Sequence, residues 1–381
     1  MAKLFDPLNI RGVTLRNRVG LSPMSMYSAK DGYSGPFEPI HYGARSLGGA
    51  GLVMTGTVAV SPEGRITPAD PGLWEDDQVA PLAAVADAIR QGGGVPGIQI
   101  GHAGRKASTT VPWRGGDPKS DGRSLTYAEG AWQTVGPMAE PYGGNKTHVP
   151  AALAEAQIER IITAFSDAAR RADQAGFEVL EIHGAHGYLL HSFYSPITNH
   201  RHDAWGGGQT GRLRLARDVI RAVRAAWPSE KPLGLRFAMD DFHEGGWAPE
   251  DGIALARMAL GEGVDFLDPM SFGGIAEGGA PDWGRNFTHD HAKALKTALP
   301  QAVILGSAQT SPDFVTDPHA VNALASDGSF DVILLGRQLL ADPHWPAKAA
   351  NELGDDRLLL PPNYEHWLTG RHKAQAIQAA A

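Results

Sequence analysis

Short β-rich apolar runs alternate along this chain with longer segments of helical period. The runs are Val19–Leu21, Leu52–Met54, Val95–Ile100, Val179–His183, Leu233–Phe237, Val264–Leu267, Val303–Leu305 and Val332–Leu335. Between them Leu215, Val219 and Val223 recur at i, i+4 and i+8, and Ile158, Ile161, Ile162 and Phe165 mark a second helical face. Ala248-Pro249-Glu250-Asp251 and Ser311-Pro312 read as helix starts, with proline early and, in the first, acids in the opening turn. Strand and helix in alternation, about eight times over, predict an α/β protein of the (β/α)8 TIM-barrel type. The pattern has no break that would mark a linker, so residues 1–381 are expected to form a single domain. One connection stands out. From Ala103 to Pro150 the chain carries glycines, prolines and the aromatics Trp113, Trp132 and Tyr142. So long an excursion after the third strand predicts a lid-like cover over the barrel mouth.

Composition narrows the function classes. With 381 residues, of which 42% are hydrophobic and 20% charged, the chain can bury a large core. A net charge of −8 and the lack of any long basic run argue against a nucleic-acid surface, which needs clustered lysine and arginine. No apolar stretch reaches the roughly 20 residues of a membrane span. Met1 to Ile10 lacks the basic start and apolar run of a signal peptide, so a soluble cytoplasmic protein is expected. The absence of cysteine excludes disulfides, thiolate metal sites and a cysteine nucleophile.

In a barrel of this kind the ligand site is built at the C-terminal ends of the strands. There the sequence places Ser22-Pro23-Met24-Ser25-Met26-Tyr27 after the first run and Gly56-Thr57 after the second. Gln99, Gly101 and His102 end the third, His183-Gly184-Ala185-His186-Gly187-Tyr188 the fourth, and Arg236 lies within the fifth. The last two runs end in Gly306-Ser307-Ala308 and Gly336-Arg337. Glycine lets the backbone approach a phosphate and arginine grips it through two donors, so these loops are candidates for a phosphorylated ligand. Gln99 offers both donor and acceptor, which suits a heterocycle edge or a backbone cap. Arg236, inside an apolar strand, needs an anionic or strongly dipolar partner, whether a ligand or a structural carboxylate. His183 and His186 are either satisfied structural histidines or donors to an oxygen that gains negative charge. Zinc would need a third ligand, which the neighbourhood does not offer, and no metal is expected.

Together these segments resemble the Old Yellow Enzyme family, in its bacterial xenobiotic-reductase or thermophilic-like branch. The resemblance runs from Leu4-Phe5 to the region of Trp367 through Leu15-Arg16-Asn17-Arg18, Ser22-Pro23-Met24, Gly48-Gly49-Ala50-Gly51-Leu52 and Pro62-Glu63-Gly64-Arg65-Ile66. Its most specific parts are Gln99-Ile100-Gly101-His102-Ala103-Gly104-Arg105-Lys106 and His183 to Leu189, and Gly336-Arg337 with Asp342-Pro343 closes the set. It implies non-covalent FMN reduced by NAD(P)H, and hydride transfer from flavin N5 to activated alkenes bearing a carbonyl or nitro group. Pro23, Met24, Ser25, Thr57, Gln99 and Arg236 would then face the flavin ring, and Gly306, Ser307, Gly336 and Arg337 its phosphate. His183 and His186 would hold the substrate oxygen, Tyr188 would donate the proton, and Tyr27 would line the pocket. Tyr364, Trp367 and Arg371 resemble a segment that reaches an active site across a subunit interface, so Trp367 is a substrate-binding candidate. Residues 355–381 would belong to the interface of a homodimer or higher homo-oligomer.

The chain departs from the family pattern in three places. Ser25 stands where this branch usually has cysteine, Thr57 where alanine or glycine is common, and Ser307-Ala308-Gln309 where glycine often occurs. Two rival readings remain from the residues alone. One is a sugar-phosphate aldolase or isomerase barrel, which needs a Schiff-base lysine or metal ligands; Lys106 is the one lysine near a strand exit. The other is a non-catalytic barrel that stores flavin or another ligand.

Overall fold

The structure, a computed structural model, describes residues 3–114, 122–271, 274–275, 287–307, 317–357, 360–364 and 366–367. Eight parallel strands close into a barrel: β1 Val19–Leu21, β2 Leu52–Ala59, β3 Val95–Gly101, β4 Val179–Gly184, β5 Leu233–Phe237, β6 Phe266–Pro269, β7 Val303–Ser307 and β8 Val332–Leu335. Neighbours in the barrel are neighbours in the chain, and β8 closes on β1 through Leu335 opposite Leu21. The TIM-barrel expectation therefore holds. β2 runs past the predicted Met54 because the ladder resumes beyond a bulge, pairing Thr57 with Gln99. β6 is displaced toward its C-terminal end, to Pro269, and so takes in Asp268, which interrupts the apolar pattern.

Helices cover the outside. In α1, Arg214–Ala226, the residues Leu215, Val219 and Val223 are buried as their period requires. α2, Pro249–Gly261, starts at the predicted proline, and the Asp251 carboxylate accepts the Ala248 N–H at 3.2 Å, which satisfies an otherwise unpaired donor at the helix start. The Ser311-Pro312 start lies outside the described residues. Among the described residues no helix is long and apolar enough to cross a membrane.

The barrel interior is divided along its axis. At the N-terminal end an antiparallel hairpin, Leu8–Ile10 with Val13–Leu15, packs Ile10, Val13 and Leu15 against Leu52, Met54, Val179, Phe266, Leu305 and Leu334. Small and large side chains alternate there: a Cβ on Gly234 would stand 2.0 Å from the Phe266 ring, so glycine makes room for it. The upper interior is polar. The described part of the excursion after β3 has a turn at Gly104–Lys106, a bridge between Thr109 and Ser124, and a short parallel pairing of Val135–Gly136 with Ala151–Ala152. It is tied down by the Trp132 indole N–H, which donates to the Glu63 carbonyl at 3.0 Å, and by Tyr142, which donates to the Gly274 carbonyl at 3.2 Å.

Candidate active site

The end of β4 carries the first cluster. After Gly184 the chain turns sharply, with His186 at φ 59° and Gly187 at φ 74°. A non-glycine residue in that left-handed region costs roughly 1 kcal/mol and is found where surrounding contacts impose it. Two contacts impose it here. Lys106 donates to the His186 carbonyl at 2.8 Å, and His191 Nδ1 accepts the Gly187 N–H at 2.9 Å while its Nε2 bonds buried Asp241 at 2.7 Å.

The turn brings three rings together edge to face. Centroids of His183 and His186 are 4.9 Å apart, and Tyr188 lies 4.9 Å from His183 and 6.1 Å from His186. The hydrogen bonds order the protons. His183 Nδ1 accepts the Ala185 N–H at 3.1 Å, so in the neutral ring the proton sits on Nε2. That Nε2 lies 2.9 Å from His186 Nδ1, which must accept and so places the proton of His186 on its own Nε2. Both imidazoles are held neutral. Burial pushes the His183 pKa well below 6.5, helped by the charge of Arg236; burial and then the neighbouring His183 do the same to His186.

Below this cluster the interior holds a second one. Thr57 donates its hydroxyl to Gln99 Oε1 at 2.6 Å, and Gln99 Nε2 donates to Glu181 Oε1 at 2.6 Å. Arg236 Nε lies 3.1 Å from Asp268 Oδ2, and its Nη1 donates to the Pro23 carbonyl at 3.3 Å. Strand register produces this arrangement: Gln99 stands opposite Glu181, and Arg236 opposite both His183 and Asp268. The sequence reading selected Gln99, Thr57 and Arg236 but missed Glu181 and Asp268. Each is an acid within an apolar strand, the same signal that exposed Arg236.

The predicted ring-binding and phosphate-binding segments come together. Ser22 and Ser307 hydroxyls are 3.2 Å apart, and a Cβ on Gly336 would stand 3.1 Å from Met24 Sδ. Gly56 admits the segment from Pro23 to Ser25 at close range, since a Cβ there would lie 2.3 Å from the Met24 carbonyl oxygen. Pro23 is buried, while Met24, Ser25, Thr57 and Ser307 are half-buried and Arg337 is exposed. The donor set fits FMN. Gln99 presents an amide whose orientation is fixed, and buried Arg236 has an Nε with no hydrogen-bond partner of good geometry. The ends of β7 and β8 supply Gly306, Ser307, Gly336 and Arg337 beside them, where barrels of this type bind phosphate. Ala308 and Gln309, the rest of that predicted loop, lie outside the described residues. Tyr27, at φ 50°, packs edge-on against Trp113 with centroids 5.8 Å apart. Trp367 does not join either cluster in this chain: it is 74% exposed, edge-on to His366. Arg371 and most of the proposed interface segment lie outside the described residues.

The profile of the NADH:flavin oxidoreductase / NADH oxidase family matches residues 3–356. The chain belongs to this family. It is therefore an NAD(P)H-dependent flavin oxidoreductase that uses FMN. This flavin oxidoreductase is 38% identical over 354 residues to an NADPH dehydrogenase of Bacillus cytotoxicus, covering 92% of this chain and 93% of that one. Among solved structures it is similar to an old yellow enzyme homologue of Zymomonas mobilis, at 26% identity and TM-score 0.73, over 92% of this chain and 93% of the other. It is similar to morphinone reductase to the same degree, 26% and 0.73, over 94% and 91%. The resemblance to the Old Yellow Enzyme family holds, and the aldolase and flavin-store readings give way to it. Lys106, the lysine on which the aldolase reading would depend, donates to the His186 carbonyl instead.

Proposed function

We propose that this flavin oxidoreductase is an ene-reductase that reduces the C=C bond of α,β-unsaturated carbonyl or nitro compounds. When bound, FMN would supply the two-electron hydride chemistry that links NAD(P)H to the β-carbon of the alkene. The protein holds the rest in place. Pro23, Met24, Ser25, Thr57, Gln99 and Arg236 face the ring, and Gly306, Ser307, Gly336 and Arg337 hold the phosphate. His183 and His186 bind the carbonyl or nitro oxygen: His186 through its Nε2–H, and His183 through the proton it otherwise shares with His186. Charge that develops on that oxygen meets donors already in place, His186 directly and His183 once its bond to His186 is given up. Tyr188 keeps a proton on its hydroxyl for the α-carbon. Tyr27, with Trp113, lines the mouth, and the excursion after β3 partly covers it. Exposed Trp367 contributes from a second copy in a homodimer or higher oligomer.

The observation that carries this reading is the proton-ordered, neutral His183–His186 pair beside Tyr188. Neutral imidazoles donate to a substrate oxygen without presenting a charge that would trap an anion permanently. The test is a titration of the flavin spectrum with a simple phenol, which mimics the enolate oxygen. Replacing both histidines with alanine weakens binding by about 100-fold, the scale for loss of fixed oxyanion donors. Unchanged affinity removes the pair from the site.

A further inference from the structure

The second cluster holds more acid than its single cation can balance. Gln99, Glu181, Arg236 and Asp268 are each at most 3% exposed, and among them one guanidinium faces two carboxyls. A buried ion pair is tolerable, but a second buried carboxylate without its own counter-charge is not, so one acid retains its proton. The geometry says which. Asp268 is the one beside Arg236, 3.1 Å from Nε, and is the ionised partner. Glu181 instead receives only a neutral amide donor, Gln99 Nε2, on Oε1; its Oε2, like both Asp268 oxygens, accepts no hydrogen bond, so what separates the two acids is the Arg236 charge that Asp268 meets at ion-pair distance. An anionic oxygen with neither is far costlier than a hydroxyl. Burial and the nearby Asp268 charge together push the Glu181 pKa up to about 8. The groups facing Glu181 are Gln99 from β3, Arg236 from β5 and Asp268 from β6, and His183 lies two residues on along its own strand.

We propose that Glu181 is a positioning residue for the flavin: as a neutral, proton-holding carboxyl it locks the Gln99 carboxamide and leaves Arg236 one carboxylate rather than two. This rests on the FMN placement proposed above. Gln99 is pinned at both ends, by the Thr57 hydroxyl on its oxygen and by Glu181 on its nitrogen, so its remaining donor and lone pair have fixed directions toward the ring edge. With Glu181 neutral, the Arg236–Asp268 pair carries no net charge. Two-electron reduction by hydride adds two electrons and one proton to the ring and makes it one unit more negative. Above the pH at which Glu181 ionises, that added charge draws a second proton, from solvent, back onto Glu181.

The test is the midpoint potential of the FMN-loaded protein against pH from 6 to 10, with FMN dissociation constants measured alongside, for wild type, Glu181→Gln and Glu181→Leu. In the wild type the slope corresponds to one proton per two electrons near neutrality and steepens toward two above pH 8. Glu181→Gln keeps the acceptor and the shape but cannot ionise; it holds FMN within threefold of wild type and keeps the one-proton slope throughout. Glu181→Leu releases Gln99 and raises the FMN dissociation constant at least tenfold. A wild-type slope that never steepens, or one that steepens equally in Glu181→Gln, overturns the proton assignment. A Glu181→Leu protein that binds FMN as tightly as wild type overturns the positioning role, and if that variant does not fold the Glu181→Gln profile decides alone. Failure of the wild type itself to take up FMN sinks the flavin placement; indifference at position 181 in a loaded protein sinks only this inference.

Discussion

The two ends of this barrel interior are built from the same eight strands, yet they differ in kind. At the N-terminal end Leu52, Met54, Val179, Phe266, Leu305 and Leu334 meet the hairpin residues Ile10, Val13 and Leu15 in one apolar cluster. A few residues further along the same strands stand Thr57, Gln99, Glu181, His183, Arg236 and Asp268. The lower end needs only volume and close packing. The upper end needs each polar atom to find a partner, and among the described residues Arg236 Nε, Glu181 Oε2 and the Asp268 oxygens find no hydrogen-bond partner within the protein. Stability and chemistry are thus separated along one axis, which is what lets the mouth carry buried charge.

The separation is broken most severely by Arg236→Met. It leaves Asp268 buried beside Glu181 with no cation, at a cost of about 4 kcal/mol, and removes the guanidinium proposed to face the flavin. A lowered melting temperature and a protein purified largely without FMN are expected. Asp268→Asn in the same chain recovers most of the melting temperature but not the flavin. Recovery of both would mean that Arg236 serves the carboxylate alone.

At the opposite end, Leu52→Ala sharpens the comparison. Leu52 is 1% exposed and opens β2, so truncation leaves a cavity that the close-packed base cannot refill. A loss of about 3 kcal/mol is expected in denaturant unfolding, with the flavin spectrum and phenol affinity of the folded protein unchanged. A changed spectrum would show that packing at the base reaches the mouth.

Much of this division was legible in the sequence, for a physical reason. Strands buried on both faces read as continuous apolar runs, so Leu233–Phe237 and Val332–Leu335 were found with their observed bounds. The errors fall where function interrupts that pattern. β2 was cut short at Met54 because Thr55, Gly56 and Thr57 interrupt the apolar run, and β6 was placed early because Asp268 is an acid in a strand. His183, His186 and Tyr188, close together in the sequence, are also close together in the structure, and Thr57, a departure from the family pattern, donates its hydroxyl to Gln99. Glu181 and Asp268 were overlooked because an isolated acid reads as a surface residue until register sets it beside Gln99 or Arg236. The mutual bond between His183 and His186 is a matter of rotamers and lay beyond any spacing argument.

The smallest expected effect concerns protons at the mouth. Because both histidine pKa values lie well below 6.5, affinity for a neutral carbonyl ligand should vary less than about twofold between pH 6 and 7.5. An inflection near 6.5 would show that at least one ring titrates normally and that the neutral chain of donors is wrong. The same shift has a stability consequence whose sign is fixed. Below 6.5 the unfolded chain takes up protons at these two rings and the folded chain does not, so stability falls as pH is lowered, by about 1.4 kcal/mol per ring per pH unit until the folded pKa is reached. Glu181 and Asp70, whose pKa values are raised by burial to about 8 and about 7, act in the opposite direction: folded, they keep protons that the unfolded chain releases above the usual carboxyl range. Raw melting curves of the wild type therefore mix the two trends. The difference between wild type and the His183→Ala, His186→Ala double variant cancels the carboxyl contribution and isolates the rings. That difference should shift steadily against the wild type from pH 6.5 to 5. A difference independent of pH would mean that the imidazoles are as free to accept protons in the barrel mouth as in water.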